Sequence, residues 1–174
     1  SLPGGCAIGS RPIDLHLDSL KKMGAKIKIK DGYINASAKK GLKGCLIRFS
    51  KISVGATENV LIAACFAKGE TKLKNCAMEP EIDDLISFLK KMGCKIKKTG
   101  KRNINIMGVG EFKPAIHKVI FDRIEAGTYI IAAALTKGNL RLKGIKPQII
   151  SNEIQILKKM GVNIVKRKNH IIAG

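Results

Sequence analysis

Three times along the chain, apolar residues recurring every three or four positions give way to a strict alternation of apolar and polar ones. The clearest periodic stretch, Ile82, Leu85, Ile86, Leu89 and Met92, matches one face of a helix. Each such stretch follows a proline (Pro12, Pro80, Pro147) and ends in the phrase Leu-Lys-Lys-Met-Gly, at Gly24, Gly93 and Gly161. Proline in the first helical turn and glycine just past the last predict the helix bounds. The phrases lie 69 and then 68 residues apart, which marks an internal repeat. After each glycine the alternation predicts two strands: Ala25–Lys30 with Tyr33–Ala38, Cys94–Lys98 with Asn103–Met107, and Asn163–Arg167 with His170–Ala173. Asp31-Gly32 between the first two is a hairpin signal.

Two alanine-rich helices are predicted between these units, over Thr57–Lys68 and Ile124–Lys137, each followed by a short strand, Thr71–Asn75 or Asn139–Lys143. Ala63-Ala64-Cys65 aligns with Ala132-Ala133-Ala134 at the same offset of 69 residues. The unit therefore reads helix, strand, helix, strand, strand, an α/β (α+β) fold with about two and a half copies present. In the last copy, Ile130, Ile131, Leu135, Ile154 and Leu157 are expected to lack the neighbours that would cover them. The first copy starts midway and no initiator methionine precedes it, so the chain is expected to be a piece of a longer protein.

Composition narrows the class without choosing a function. Of the 174 residues 45% are hydrophobic and 26% charged, which fits a folded domain and not a disordered chain. No apolar run approaches the ~20 residues a membrane span needs, so a cytoplasmic protein without a membrane partner is expected. Five scattered cysteines without a Cys-x-x-Cys pair argue for reduced thiols and no metal. Cys45, Cys65, Cys76 and Cys94 sit in apolar patterns, as small buried hydrophobes do. The net charge of +20 admits a basic nucleic-acid-binding module as one reading. With 4% aromatic residues and no tryptophan to stack on bases, a solvated lysine-rich surface is the better reading, and no nucleic-acid partner is expected.

Two stretches carry candidate chemistry. Ser1–Leu17 (SLPGGCAIGSRPIDLHL) places Cys6 among Gly4, Gly5 and Gly9, with Arg11 nearby to favour a thiolate. Taken alone, the pattern fits either a reactive thiol or an inert turn cysteine. Ser53-Val54-Gly55 stands just before an alanine-rich helix, where free N–H groups and the positive helix end suit a diphosphate, and Lys51 adds charge. An ordinary N-cap fits the same residues.

The run Leu2-Pro3-Gly4-Gly5-Cys6-x-Ile8-Gly9-x-Arg11-Pro12-x-Asp14-Leu15-His16 resembles the catalytic loop of the UDP-N-acetylglucosamine enolpyruvyl transferases (1-carboxyvinyltransferases). Three further blocks agree in order and spacing: Lys51-Ile52-Ser53-Val54-Gly55-Ala56-Thr57, Glu79-Pro80-Glu81-Ile82 and Asp122-Arg123-Ile124-Glu125-x-Gly127-Thr128. The resemblance covers the whole chain. It implies an inside-out α/β barrel of six βαβαββ units in two domains, with residues 1–120 as the latter part of the first domain, its catalytic loop at 1–12, and residues 121–174 as the first repeat of the second. The implied reaction moves the enolpyruvyl group of phosphoenolpyruvate to the 3-hydroxyl of UDP-N-acetylglucosamine and releases phosphate, the first committed step of peptidoglycan synthesis, without a cofactor. The related shikimate-pathway enolpyruvyl transferase is the alternative of the same fold; it lacks the Pro-Gly-Gly-Cys loop.

Carried over, Cys6 is the general acid and the nucleophile that fosfomycin alkylates, and Arg11 clamps the phosphate of phosphoenolpyruvate. Arg11, Pro12, Ile13, Asp14, Leu15 and His16, with Lys51, Ile52, Ser53, Val54 and Gly55, bind the nucleotide sugar, and Glu79, Asp122 and Arg123 are candidates to support the site; an acid serving the helix dipole fits Glu79 equally, and an interdomain contact fits Asp122-Arg123. The resemblance also implies a full-length monomer, and a base for the sugar hydroxyl that this chain does not contain. Phe121 stands where the family pattern has proline.

Overall fold

From residue 12, where the described part of the computed structural model begins, to residue 174, the chain falls into two units divided between Lys118 and Val119. The first unit runs α1 (Asp14–Lys22), β1 (Lys26–Lys30), β2 (Tyr33–Ser37), β3 (Leu46–Arg48), α2 (Val54–Cys65), β4 (Glu70–Lys74), α3 (Pro80–Lys91), β5 (Lys95–Thr99) and β6 (Asn103–Met107). The second runs α4 (Arg123–Thr136), β7 (Leu140–Lys143), α5 (Ser151–Lys159), β8 (Ile164–Arg167) and β9 (His170–Ala173). One complete βαβαββ unit, β3 to β6, is thus preceded by the tail of another and followed by a copy whose described residues lack the first strand.

The three Leu-Lys-Lys-Met-Gly phrases end their helices alike. Gly24, Gly93 and Gly161 take φ of 99°, 104° and 92°, the left-handed region that glycine enters without a Cβ penalty. In each, the glycine N–H donates to the carbonyl three residues back (Lys21, Lys90, Lys158), and the next N–H donates to the carbonyl of the phrase's own leucine (Leu20, Leu89, Leu157). This is the Schellman arrangement, and it turns the chain straight into the following strand. The repeat in the sequence is therefore a repeated helix stop. The prolines are less uniform: Pro80 does occupy the first turn of α3, but Pro12 and Pro147 lie ahead of α1 and α5 and not inside them.

β3 was not expected. Three residues give no alternation to read, and the strand exists because Leu46–Arg48 pairs in parallel with Lys72–Lys74 of β4. The four-stranded sheet is ordered β3-β4-β6-β5, with β6 antiparallel to both neighbours; the second unit repeats the motif as β7-β9-β8. In both, the last strand of the hairpin pairs with the strand between the helices. Among the described residues the hairpin β1–β2 has no such strand and stands as a two-stranded sheet.

The alternation sends Ile47, Leu73, Ile96, Ile104 and Ile106 to one face of the four-stranded sheet, where they meet Val60, Leu61 and Ala64 of α2 and Ile82, Ile86 and Leu89 of α3. Helices cover this face, and the opposite face presents Arg48, Lys72, Lys95 and Lys97 to solvent. The second unit has its own core around Ile130, Ile150, Ile154, Ile164 and Ile171. This corrects one expectation: Ile130, Ile154 and Leu157 are buried within that unit, while Ile131 and Leu135 are exposed. Phe121 packs against the same core, so the departure from proline gains an apolar contact.

Gly108 has no room for a side chain, because a Cβ there would overlap the carbonyl oxygen of Ala67. That approach lets Val109 N–H reach Cys65 O at 2.7 Å and Gly108 N–H reach Gly69 O at 3.2 Å, tying the end of β6 to the end of α2. Gly108→Ala is expected to cost about 3 kcal/mol or more, since the obstructing atom is backbone and cannot rotate away. Gly110→Ala, with nothing within 4 Å, should stay within about 0.5 kcal/mol of the parent. Urea unfolding midpoints measure both; equal midpoints would contradict the packing described.

Candidate functional site

Two helix starts from different parts of the sequence meet in the first unit. Ile13 caps α1 without a side-chain hydrogen bond, and its carbonyl takes the N–H groups of His16 and Leu17 at 3.1 and 3.0 Å. Leu15 points into the core, and its carbonyl accepts from Ser19 Oγ at 2.6 Å. His16 turns toward α2: its Nε2 lies 3.4 Å from where a Cβ on Gly55 would stand. The absence of a side chain at Gly55 leaves the imidazole lying against the first turn of α2. His16 Nδ1 is buried with no hydrogen-bond partner among the described residues.

The start of α2 is held firmly. Ser53 is its N-cap, with Oγ accepting from Ala56 N–H at 3.2 Å, as a serine in this position does. The Ser53 carbonyl accepts from the Thr57 hydroxyl at 2.7 Å, and that hydroxyl in turn accepts from Ala77 N–H at 3.1 Å. Helix geometry leaves the N–H groups of Val54 and Gly55 without intrahelical acceptors, at the positive end of the macrodipole. The helix begins at Val54 and ends at Cys65, three residues earlier at both ends than the alanine pattern suggests, because the serine cap outranks composition. Lys51 and Ile52 are exposed beside this turn, as are Pro12 ahead of α1 and Asp14 at its first position.

The Thr57–Ala77 hydrogen bond brings the approach to α3 beside the start of α2. Glu79 is the N-cap of α3 and not part of its first turn; its Oε2 accepts from Met78 N–H at 2.7 Å. Burial raises the Glu58 carboxyl above its usual range, and the Glu81 charge adds to the rise. Motif reading passed over Glu58 and assigned nothing to Glu81, because each is an unremarkable acid near a helix start until α2 and α3 are packed together. In the second unit, Asp122 caps α4 by accepting from Ile124 and Glu125 N–H at 2.8 and 3.1 Å, and Arg123 Nη1 lies 3.8 Å from Glu153 Oε1.

The structure thus joins His16, Ser53, Val54 and Gly55 directly. Cys6 and Arg11 lie outside the described residues. The four described cysteines are all pushed above the ordinary thiol range, chiefly by burial: Cys76 to about 11, Cys65 further with help from a hydrogen bond to Cys94, and Cys45 and Cys94 by smaller amounts. They remain protonated at neutral pH and are poor nucleophiles. Among the described residues no helix is long and apolar enough to cross a membrane.

Repeated βαβαββ units with exposed helix starts define the class: an α/β fold of the enolpyruvyl-transferase type. A crystal structure of an enolpyruvyl transferase from Streptomyces tendae matches with a TM-score of 0.83 over 94% of this chain and 42% of its own, at 23% identity, a likeness of fold. The sequence pattern of EPSP synthase (3-phosphoshikimate 1-carboxyvinyltransferase) matches residues 1–174, and the chain belongs to that family. It is 61% identical over 172 residues to the UDP-N-acetylglucosamine 1-carboxyvinyltransferase of Pelagibacter ubique and 55% identical over 173 residues to that of Endomicrobium trichonymphae. In each case 99% of this chain is covered, and the chain spans 41% of the relative's length.

Proposed function

We propose that the chain is the central part of an enzyme that transfers the enolpyruvyl group of phosphoenolpyruvate to the 3-hydroxyl of UDP-N-acetylglucosamine, in the cytoplasm and as a monomer. Residues 1–120 then belong to the first domain and residues 121–174 open the second. The observation that carries this reading is the meeting of His16 with the first turn of α2, which turns two distant motif stretches into one surface. That the 61% and 55% identical relatives are UDP-N-acetylglucosamine 1-carboxyvinyltransferases supports the acceptor.

Each residue type suits its assigned part. The N–H groups of Val54 and Gly55 and the Lys51 ammonium offer a diphosphate what it needs: donors, positive helix end and a mobile cation. His16, apolar on its faces and with Nδ1 unpartnered among the described residues, lies beside them to meet the uridine. Arg11 is a fixed charge with a fork of donors, suited to clamp the phosphate of phosphoenolpyruvate. As the sugar oxygen adds to the central carbon of the enol, Cys6 gives its proton to the methylene carbon; loss of a proton from that carbon and departure of phosphate then restore the double bond. Cysteine can serve as acid and as nucleophile because its pKa lies close enough to neutrality for both. Glu79, Asp122 and Arg123 act in support.

Titrating UDP-N-acetylglucosamine into the isotope-labelled chain should shift the amide signals of His16, Val54 and Gly55 in the NMR spectrum, and UDP alone should shift those of Val54 and Gly55. Shifts confined to the lysine-rich sheet faces would sink the reading, since they would report charge attraction without a site.

A further inference from the structure

Between the end of β6 and the start of the second unit, residues 113–118 form no helix or strand, yet they are fastened to one face of α3. Lys113 N–H donates to Met92 O at 2.9 Å just past the helix end, and Lys91 Nζ donates to Ile116 O at 3.2 Å. Last comes His117, whose Nε2 lies 3.0 Å from Asp84 Oδ1 and whose ring lies tilted against Phe88 at 5.2 Å between centroids. Asp84, Phe88, Lys91 and Met92 fall at intervals of four, three and one, so one stripe of α3 and its cap makes every contact. The strap is therefore aligned along the helix and not merely draped over it.

The His117–Asp84 pair differs from the lysine ion pairs among the described residues. Side-chain exposure is 9% for His117 and 15% for Asp84, whereas the lysine pairs lie on the surface. Where the Asp84 carboxylate accepts, Nε2 is the donor. Among the described residues His117 Nδ1 is buried with no partner, and the ring is held by its hydrogen bond to Asp84 and its tilted contact with Phe88. A polar group buried without a partner offsets part of what the pair gains. Immediately after His117 the chain passes Lys118 and enters the second unit at Val119.

We propose that His117 is a positioning residue, a latch on Asp84 that fixes where the chain leaves the first unit and holds the connecting strap in register on α3. The sequence hides this, since a lone histidine in an irregular stretch carries no signal until the strap is laid on the helix. The proposal needs neither the acceptor nor the chemistry argued above.

Hydrogen exchange of the 174-residue chain tests it. In His117→Ala the Lys113 amide and the peptide spanning 113–118 should exchange about tenfold faster than in the parent, while Ile104 and Ile106 of β6 keep their protection. His117→Gln, which keeps an N–H donor at similar reach, should return the strap to within about threefold of the parent. Trypsin cleavage after Lys118 should follow the same order. Equal exchange of the strap in parent and Ala variant would overturn the latch, and so would a rise that spreads equally to β6 or a Gln variant no better than Ala.

Discussion

Fosfomycin should label the chain at Cys6 and nowhere else, and Cys6→Ala should abolish that labelling completely. The expectation rests on protonation state as much as on position. The four described cysteines are held above the ordinary thiol range, Cys76 at about 11 and the others by burial, so attack on an epoxide at neutral pH has little thiolate to draw on at those sites. Cys6 stands instead in a glycine-rich stretch with Arg11 close in sequence, which favours the charged form. Mass spectrometry of peptides after exposure with UDP-N-acetylglucosamine present reads the outcome, in a version of the chain extended through the flanking repeats of its relatives. Label on Cys45 or Cys65 would break the motif assignment. Cys6→Asp should escape labelling yet keep turnover, because a carboxyl can still deliver the proton; an inactive Asp variant would remove the general-acid role.

The second large effect concerns the chain by itself, which is expected to release no phosphate from phosphoenolpyruvate and UDP-N-acetylglucosamine. It spans 41% of its relatives' length, and the base that takes the sugar's hydroxyl proton is expected beyond it. Losing a positioned base alone costs about 10²–10⁴-fold. Leu135, 80% exposed, with Ile131 and Tyr129 on α4, adds a sticky surface that favours association. The isolated chain should therefore fold into its two units and remain inactive; turnover near that of the extended version would show that the site is already whole.

Much of the fold could be read from the sequence because it is repeated. Each Leu-Lys-Lys-Met-Gly phrase carries the helix face, the stop and the entry into a strand, and all three form the same cap. His170–Ala173 and Asn103–Met107 fall where the alternation puts them. Failures came where a stabilising partner is remote in sequence. β3 depends on β4, the buried state of Ile154 depends on the second unit's sheet, and the start of α2 is set by the Ser53 cap and not by alanine content. For the site, the motif stretches name His16 and Gly55 separately, and only packing of α1 on α2 puts one against the other. Glu58 escaped because its shift comes chiefly from burial once α2 and α3 pack together, with Glu81 adding to it, and His117 because its partner is the remote Asp84.

The two acceptors of the family separate the central claim from its nearest rival in a single assay. Phosphate release from phosphoenolpyruvate by the extended chain is measured with UDP-N-acetylglucosamine and, in parallel, with 3-phosphoshikimate. If the surface formed by His16, Val54 and Gly55 takes the nucleotide diphosphate as proposed, release should depend on UDP-N-acetylglucosamine and stay at background with 3-phosphoshikimate. Release driven by 3-phosphoshikimate, with none from the nucleotide sugar, would contradict the account.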